Sequence, residues 1–212
     1  MNTTTSIAIA ALTCAAVSSI ASAGVIFSDN FESGLGLWTG KNGGPHSGIL
    51  VNDPLGSSNT VLKFSQLIYA GDMFTVDALT LDPNETYRLS FDYLGLNNEF
   101  GQNNNDTGGY VGFSVDMPGS HSWHWATGSV SGASDVLIDD GQWNSYAFDF
   151  TVADLGIGNT VRLMLEDFSG SGGGSGDALF DNFQIATTPV PAPGAIALLG
   201  LGGLLTTKRR RS

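Results

Sequence analysis

The segment Tyr87-Arg88-Leu89-Ser90-Phe91-Asp92-Tyr93 constrains the chain more than any other. Its bulky residues occupy every second position. In an extended backbone Tyr87, Leu89, Phe91 and Tyr93 therefore share one face, while Arg88, Ser90 and Asp92 share the other. A helix would scatter the same residues around its circumference. The pattern predicts a strand with an apolar underside, and such a strand needs a second layer to cover it. The habit recurs at 143–152, where Tyr146, Phe148 and Phe150 alternate with Ser145 and Asp149, and at 110–115. Shorter apolar runs at 25–27, 35–38, 49–51, 61–64, 73–81, 161–168 and 178–185 read as further strands, separated by turn formers such as Asn52-Asp53-Pro54 and Asp82-Pro83-Asn84. Roughly ten strands with turns every eight to twelve residues predict an all-β chain folded as an antiparallel β-sandwich. Between the termini no stretch longer than a turn reads as helix.

Charge narrows the function classes. All twenty Asp and Glu fall between Asp29 and Asp181, where only Lys41, Lys63, Arg88 and Arg162 oppose them. Such a surface repels nucleic acid and anionic lipid and suits a highly soluble exported protein that attracts Ca²⁺.

The two ends read as handling signals. Residues 1–23 carry an apolar run from Ile7 to Val17 and close on Ala21-Ser22-Ala23, a small-x-small cleavage site of the secretory type. The single cysteine, Cys14, lies inside this segment, so the mature chain would hold neither a disulfide nor a thiolate metal site. At the other end Val190, Pro191, Ala192, Pro193 and Gly194 form a rigid turn, residues 195–205 are uncharged and mostly apolar, and Lys208, Arg209, Arg210 and Arg211 form a basic cluster. A helix over 195–207 would span roughly 20 Å at ~1.5 Å per residue, short of the ~30 Å hydrocarbon core, with its basic end held on the cytoplasmic side. This order of parts resembles the PEP-CTERM sorting signal of exopolysaccharide-producing Gram-negative bacteria, with Pro-Ala-Pro where the name-giving pattern has Pro-Glu-Pro. The resemblance implies an exosortase as processing enzyme, transient residence in the inner membrane, and delivery to the cell surface or extracellular matrix. A permanent membrane anchor is the rival reading of the same tail.

A second resemblance lies in the middle. Asp29-Asn30-Phe31-Glu32-Ser33-Gly34 with Trp38 after it, the strand start Gly141-Gln142-Trp143, and the closing Leu179-Phe180-Asp181-Asn182-Phe183-Gln184-Ile185 are similar to jelly-roll carbohydrate-binding modules and galactose-binding-like domains. That resemblance implies a jelly roll whose first and last strands meet, with Glu32 and Asp181 as candidate ligands of a structural Ca²⁺. The alternative is that Asp181-Asn182 merely turns the last strand and Glu32 sits in solvent.

For chemistry the sequence offers little. No Gly-x-Ser-x-Gly elbow accompanies His46, His121 or His124, and no Glu-x-Asp-x-x-Glu strand pattern of sandwich-fold glucanases occurs. The glycine run at 169–176 lacks the Lys-Ser/Thr of a phosphate loop. The aromatic candidates for a ligand surface are Trp123 and Trp125, at i and i+2 of an expected strand, together with Tyr110. Indoles on one face can stack on sugar rings, although burial is the commoner fate of tryptophan in a sandwich. Trp38 and Trp143 are assigned to the core. The reading is an exported, non-enzymatic β-sandwich: signal peptide 1–23, sandwich 24–188, sorting signal 189–212, with extracellular polysaccharide as the ligand to test. The alternatives are a structural matrix protein with no discrete ligand and a polysaccharide-degrading enzyme.

Overall fold

The computed structural model describes residues 23–64, 72–96, 109–115, 121–127, 135–138, 140–167 and 178–188. The expected signal peptide, the expected sorting signal and most of the two polar loops at 97–109 and 169–176 lie outside the described residues. Ala23–Thr188 forms one compact unit. In chain order its strands are β1 (Val25–Asp29), β2 (Trp38–Thr39), β3 (Gly48–Asn52), β4 (Thr60–Phe64), β5 (Met73–Thr75), β6 (Leu79–Thr80), β7 (Tyr87–Gly95), β8 (Gly109–Ser114), β9 (His121–Thr127), β10 (Asp135–Leu137), β11 (Asn144–Phe150), β12 (Thr160–Asp167) and β13 (Ala178–Thr187). One helical turn, α1 (Val152–Leu155), separates β11 from β12, opened by a capping box between Thr151 and Asp154.

The strands build two sheets. The first runs β11-β7-β13-β4-β3, with β1 also paired to β13; the second runs β10-β9-β8-β12-β5-β2, with β6 also paired to β12. All pairings are antiparallel except β10 with β9. The molecule is thus the all-β sandwich that the alternating pattern predicts, of the jelly-roll type that the resemblance implies. Tyr87, Leu89, Phe91 and Tyr93 are all buried, while Arg88, Ser90 and Asp92 are not.

The core is aromatic. Phe180 of β13 sits among Phe64, Phe91, Tyr93 and Phe183 with ring centroids 5.2–6.2 Å apart. Such pairs add about 0.5–1.5 kcal/mol each beyond area burial. Gly109 is required beneath this cluster, because a Cβ there would collide with the Phe180 ring and lie 2.9 Å from Tyr93 Cε2.

Two expected strands are shorter than the sequence suggested. Of 35–38 only Trp38 belongs to a strand; the Trp38 N–H closes a turn onto the Leu35 carbonyl at 3.0 Å, and Leu37 projects into solvent. The run 73–81 is split into β5 and β6. At the break Arg162 Nη1 donates to the carbonyls of Thr75 and Val76, which are thereby satisfied outside the sheet ladder. Trp143 also departs from expectation. It is half-buried just before β11, packed on a small outer cluster of Val61, Leu94 and Leu179. Its Nε1–H donates to Asp53 Oδ1 at 3.0 Å. Burial works to raise the Asp53 carboxyl, but the Trp143 bond and bonds from Ser57 and Leu55 outweigh it and hold that carboxyl below its ordinary range.

Candidate functional site

β13 is where the candidate site is assembled. Along one edge it pairs with β7 over nearly its whole length. Along the other it takes β4 at Leu179 and Phe180, then exchanges it for β1 from Phe183 to Ala186. The exchange happens at Asp181 and Asn182, where the register with β7 also shifts and Asn182 adopts φ +53°. Asn tolerates that left-handed conformation better than most residues.

Just beyond β1 the chain makes a second unusual turn at Phe31, φ +60°. A bulky residue is strained there. Two contacts hold it. The Phe31 ring is buried against Trp38 and Phe183 at centroid distances of 6.0 and 6.2 Å. Its N–H donates to Asp29 Oδ1 at 2.9 Å, while Asp29 Oδ2 accepts Trp38 Nε1–H at 2.6 Å. Asp29, only 8% exposed, therefore ties the loop back onto the core.

Glu32 and Asp181 are brought to the same junction. Asn59 Nδ2 donates to Asp181 Oδ2 at 2.5 Å, and the adjacent Thr60 N–H donates to Glu32 Oε1 at 2.7 Å. Asp181 is 2% exposed, and its other oxygen accepts the Asn182 N–H at 2.8 Å. Burial pushes the Asp181 carboxyl upward, and the nearby charges of Asp92 and Glu32 act in the same direction, against the bonds from Asn59 and Asn182. Asp181 and Glu32 supply hard oxygen donors of the chemistry Ca²⁺ takes, although Asp181 Oδ1, Asp181 Oδ2 and Glu32 Oε1 already accept N–H bonds. Among the described residues no group of three or more His, Cys, Asp or Glu side chains is gathered for a metal.

On the outer face of the first sheet, beside this junction, lies a cleft of about 500 Å³ lined by Ser28, Asp29, Asn30, Ser33, Leu37, Ser90, Asn182, Phe183 and Gln184. Its floor is a row in register. Ala147 of β11 faces Ser90 of β7, Ser90 faces Gln184 of β13, and Gln184 faces Ser28 of β1. One flank of the row is the bidentate pair Arg88–Asp149, at 2.6 and 2.7 Å. The Arg88 bond lowers the Asp149 carboxyl, outweighing its partial burial. The other flank is a chain in which Ser145 Oγ donates to Asp92 Oδ1 at 2.5 Å and Asn182 Nδ2 donates to Asp92 Oδ2 at 2.8 Å. The loop 30–37 forms the wall.

The aromatic candidates lie elsewhere. Tyr110 belongs to β8 in the second sheet and is 6% exposed; burial, then the charge of Glu166, pushes its hydroxyl up to about 12. A residue so enclosed offers a ligand almost no surface. Trp123 and Trp125 lie on β9, opposite Gly112 and Val111, with a register shift between the two pairs. The sorting residues Val190, Pro191, Pro193, Gly194, Lys208, Arg209, Arg210 and Arg211 lie outside the described residues. Sequence reasoning missed the cleft row altogether. Ser28, Ser90 and Gln184 read as an ordinary solvent face, and only the pairing of the first strand with the last brings them together.

No protein-family model and no curated protein matches the chain. Among solved structures it is similar to the CBM22-1 xylan-binding domain of Paenibacillus barcinonensis Xyn10C, at 18% identity over 79% of this chain and 97% of that one, TM-score 0.47. It is also similar to a carbohydrate-binding module of Cellvibrio mixtus lichenase 5A solved with cellotriose, at 8% identity over 77% and 98%, TM-score 0.44. A third is the enzymatically active domain of bacteriophage CBA120 tailspike protein 4, at 13% identity over 73% and 20%, TM-score 0.44. Among the described residues no helix is long and apolar enough to cross a membrane.

Proposed function

We propose that this chain is an exported, non-catalytic β-sandwich that binds extracellular polysaccharide in the cleft on the outer face of its first sheet. The observation that carries the reading is the row of Ser90, Gln184 and Ser28 beside Asn30, Ser33 and Asn182: hydroxyls and amides, each able both to donate and to accept, spread over a shallow floor. That is the chemistry a sugar's hydroxyls require. Its volume falls within the ordinary range for a small-ligand site, ~300–1,000 Å³. The carboxylate lining it is committed to structure, since Asp29 holds Trp38 and Phe31, and this favours binding over acid–base turnover.

The test is affinity electrophoresis of the mature protein in gels carrying single polysaccharides, with reducing-sugar release followed in parallel. Wild type is expected to be retarded without hydrolysing the polymer. The double variant Ser90→Ala/Gln184→Ala is expected to weaken binding about tenfold, the loss of roughly 1.4 kcal/mol of hydrogen bonding. If Trp123→Ala/Trp125→Ala abolishes retardation while the Ser90/Gln184 variant does not, the site lies on β9 instead. Turnover would favour the enzymatic alternative, and absence of binding to any glycan would favour a structural matrix protein.

The handling proposal rests on the resemblance of residues 190–212 to the sorting signal. An exosortase would cut near 191–194 after the tail has lodged in the inner membrane, releasing the sandwich to the cell surface or matrix. The intact mass of protein recovered from membrane and medium checks this. A product running from Gly24 to the Pro-Ala-Pro-Gly region is expected; retention of Ser212 in the membrane fraction would identify a permanent anchor. Glu32 and Asp181 would hold the structural Ca²⁺, which would fasten the place where β13 exchanges β4 for β1.

A further inference from the structure

We infer that the cleft on the first sheet selects an uncharged stretch of glycan and rejects carboxylated or sulfated polymers. This rests on the polysaccharide-binding reading above and adds the ligand's class. Among the described residues no cation lines the cleft, whose wall and floor are Ser, Asn, Gln, Leu and Phe with the single acid Asp29. The cation nearest in register, Arg88, lies two residues along β7 from Ser90 and is already held through two bonds by Asp149. On the opposite flank stand Asp92 and Asp181, with Glu32 at the same junction. A uronate or sulfate entering here would lose part of its hydration beside Asp29, Asp92 and Asp181, and the cation on the flank, Arg88, is already neutralised by Asp149.

A neutral sugar meets suitable partners throughout. Ser28, Ser33 and Ser90 present hydroxyls, Asn30, Asn182 and Gln184 present amides, and Leu37, 47% exposed on the wall, offers an apolar surface to the C–H face of a ring. The row spans β7, β13 and β1, about 10 Å at ordinary strand spacing. That width accommodates a short run of rings rather than a broad polymer surface.

The probes are neutral β-glucan, xylan and galactan against polygalacturonate and alginate, titrated with the mature protein at 20 mM and 500 mM salt. Binding to at least one neutral polymer is expected, little changed by salt. The acidic polymers are expected to bind at least tenfold more weakly at low salt. Gln184→Lys, an exposed position on the floor, supplies the missing cation and is expected to tighten binding of the acidic polymers at least fivefold at low salt, with the gain erased at 500 mM. Wild-type preference for an acidic polymer would overturn the inference and leave polysaccharide binding standing. Failure of Gln184→Lys to alter acidic binding would overturn the assignment to this cleft. Absence of binding to all five polymers would overturn the functional reading itself.

Discussion

Asp29→Ala is expected to lower the melting temperature of the sandwich by roughly 10 °C. The carboxylate is buried and accepts from both the Phe31 N–H and the Trp38 indole. Removing it leaves two donors unsatisfied in the core and releases the strained turn at Phe31, φ +60°. Each neutral buried donor left without its acceptor costs about 1–3 kcal/mol, and a domain of this size moves about 2–4 °C per kcal/mol. Asp29→Asn keeps one carbonyl acceptor and should fall between wild type and alanine. Thermal unfolding followed by circular dichroism reads the shift, and tryptophan fluorescence should move to the red as Trp38 loosens. A change below 1 kcal/mol for Asp29→Ala would show that the aromatic packing of Phe31 holds the loop unaided.

Calcium should raise the melting temperature of the wild-type protein by roughly 5–10 °C when it exceeds its dissociation constant about a hundredfold, and a chelator should remove the gain. Ligand linkage at that excess supplies about 2.7 kcal/mol. Asp181→Asn should abolish the calcium response. In chelator the same variant should unfold at or above the wild-type temperature. The Asp181 carboxyl is raised by burial and by its acidic neighbours, so its contribution to stability is present below the unfolded value and declines as pH rises through the folded one. An amide at this position takes that unfavourable charge away. Identical melting curves for wild type in calcium and in chelator would sink the calcium proposal and leave Asn59, Thr60 and Asn182 as the groups that hold the junction.

How much of this was legible beforehand depends on where each signal is stored. Tyr87–Tyr93 and Tyr146–Phe150 announce their strands because their two faces differ sharply, and the two-layer architecture follows from them. The split of 73–81 was not legible. The carbonyls at the break are satisfied by a side chain, Arg162, whose sequence position says nothing about Thr75 or Val76. Trp143 looks like a core residue by type, yet its indole N–H draws it toward Asp53 on the sheet's outer side. The expected shared face of Trp123 and Trp125 rests on alternation along the strand, and the backbone register with β8 shifts between the two pairings. Glu32 and Asp181 stood out only through family resemblance; hydrogen bonds from Asn59 and Thr60 draw them to one junction. The cleft is the hardest case, since small polar residues carry no periodic signal.

The pairing of β1 with β13 also orders events in time. Val25 lies against Ala186, and Gly24 and Thr187 bond each other, N–H to Oγ1 at 2.8 Å and N–H to carbonyl at 2.9 Å. A chain delivered N-terminus first keeps β1 waiting until almost every other strand has passed, so the first sheet lacks its central member until the very end. Folds closed by such distant partners form slowly. A sandwich built this way completes its first sheet only after its last strand is available.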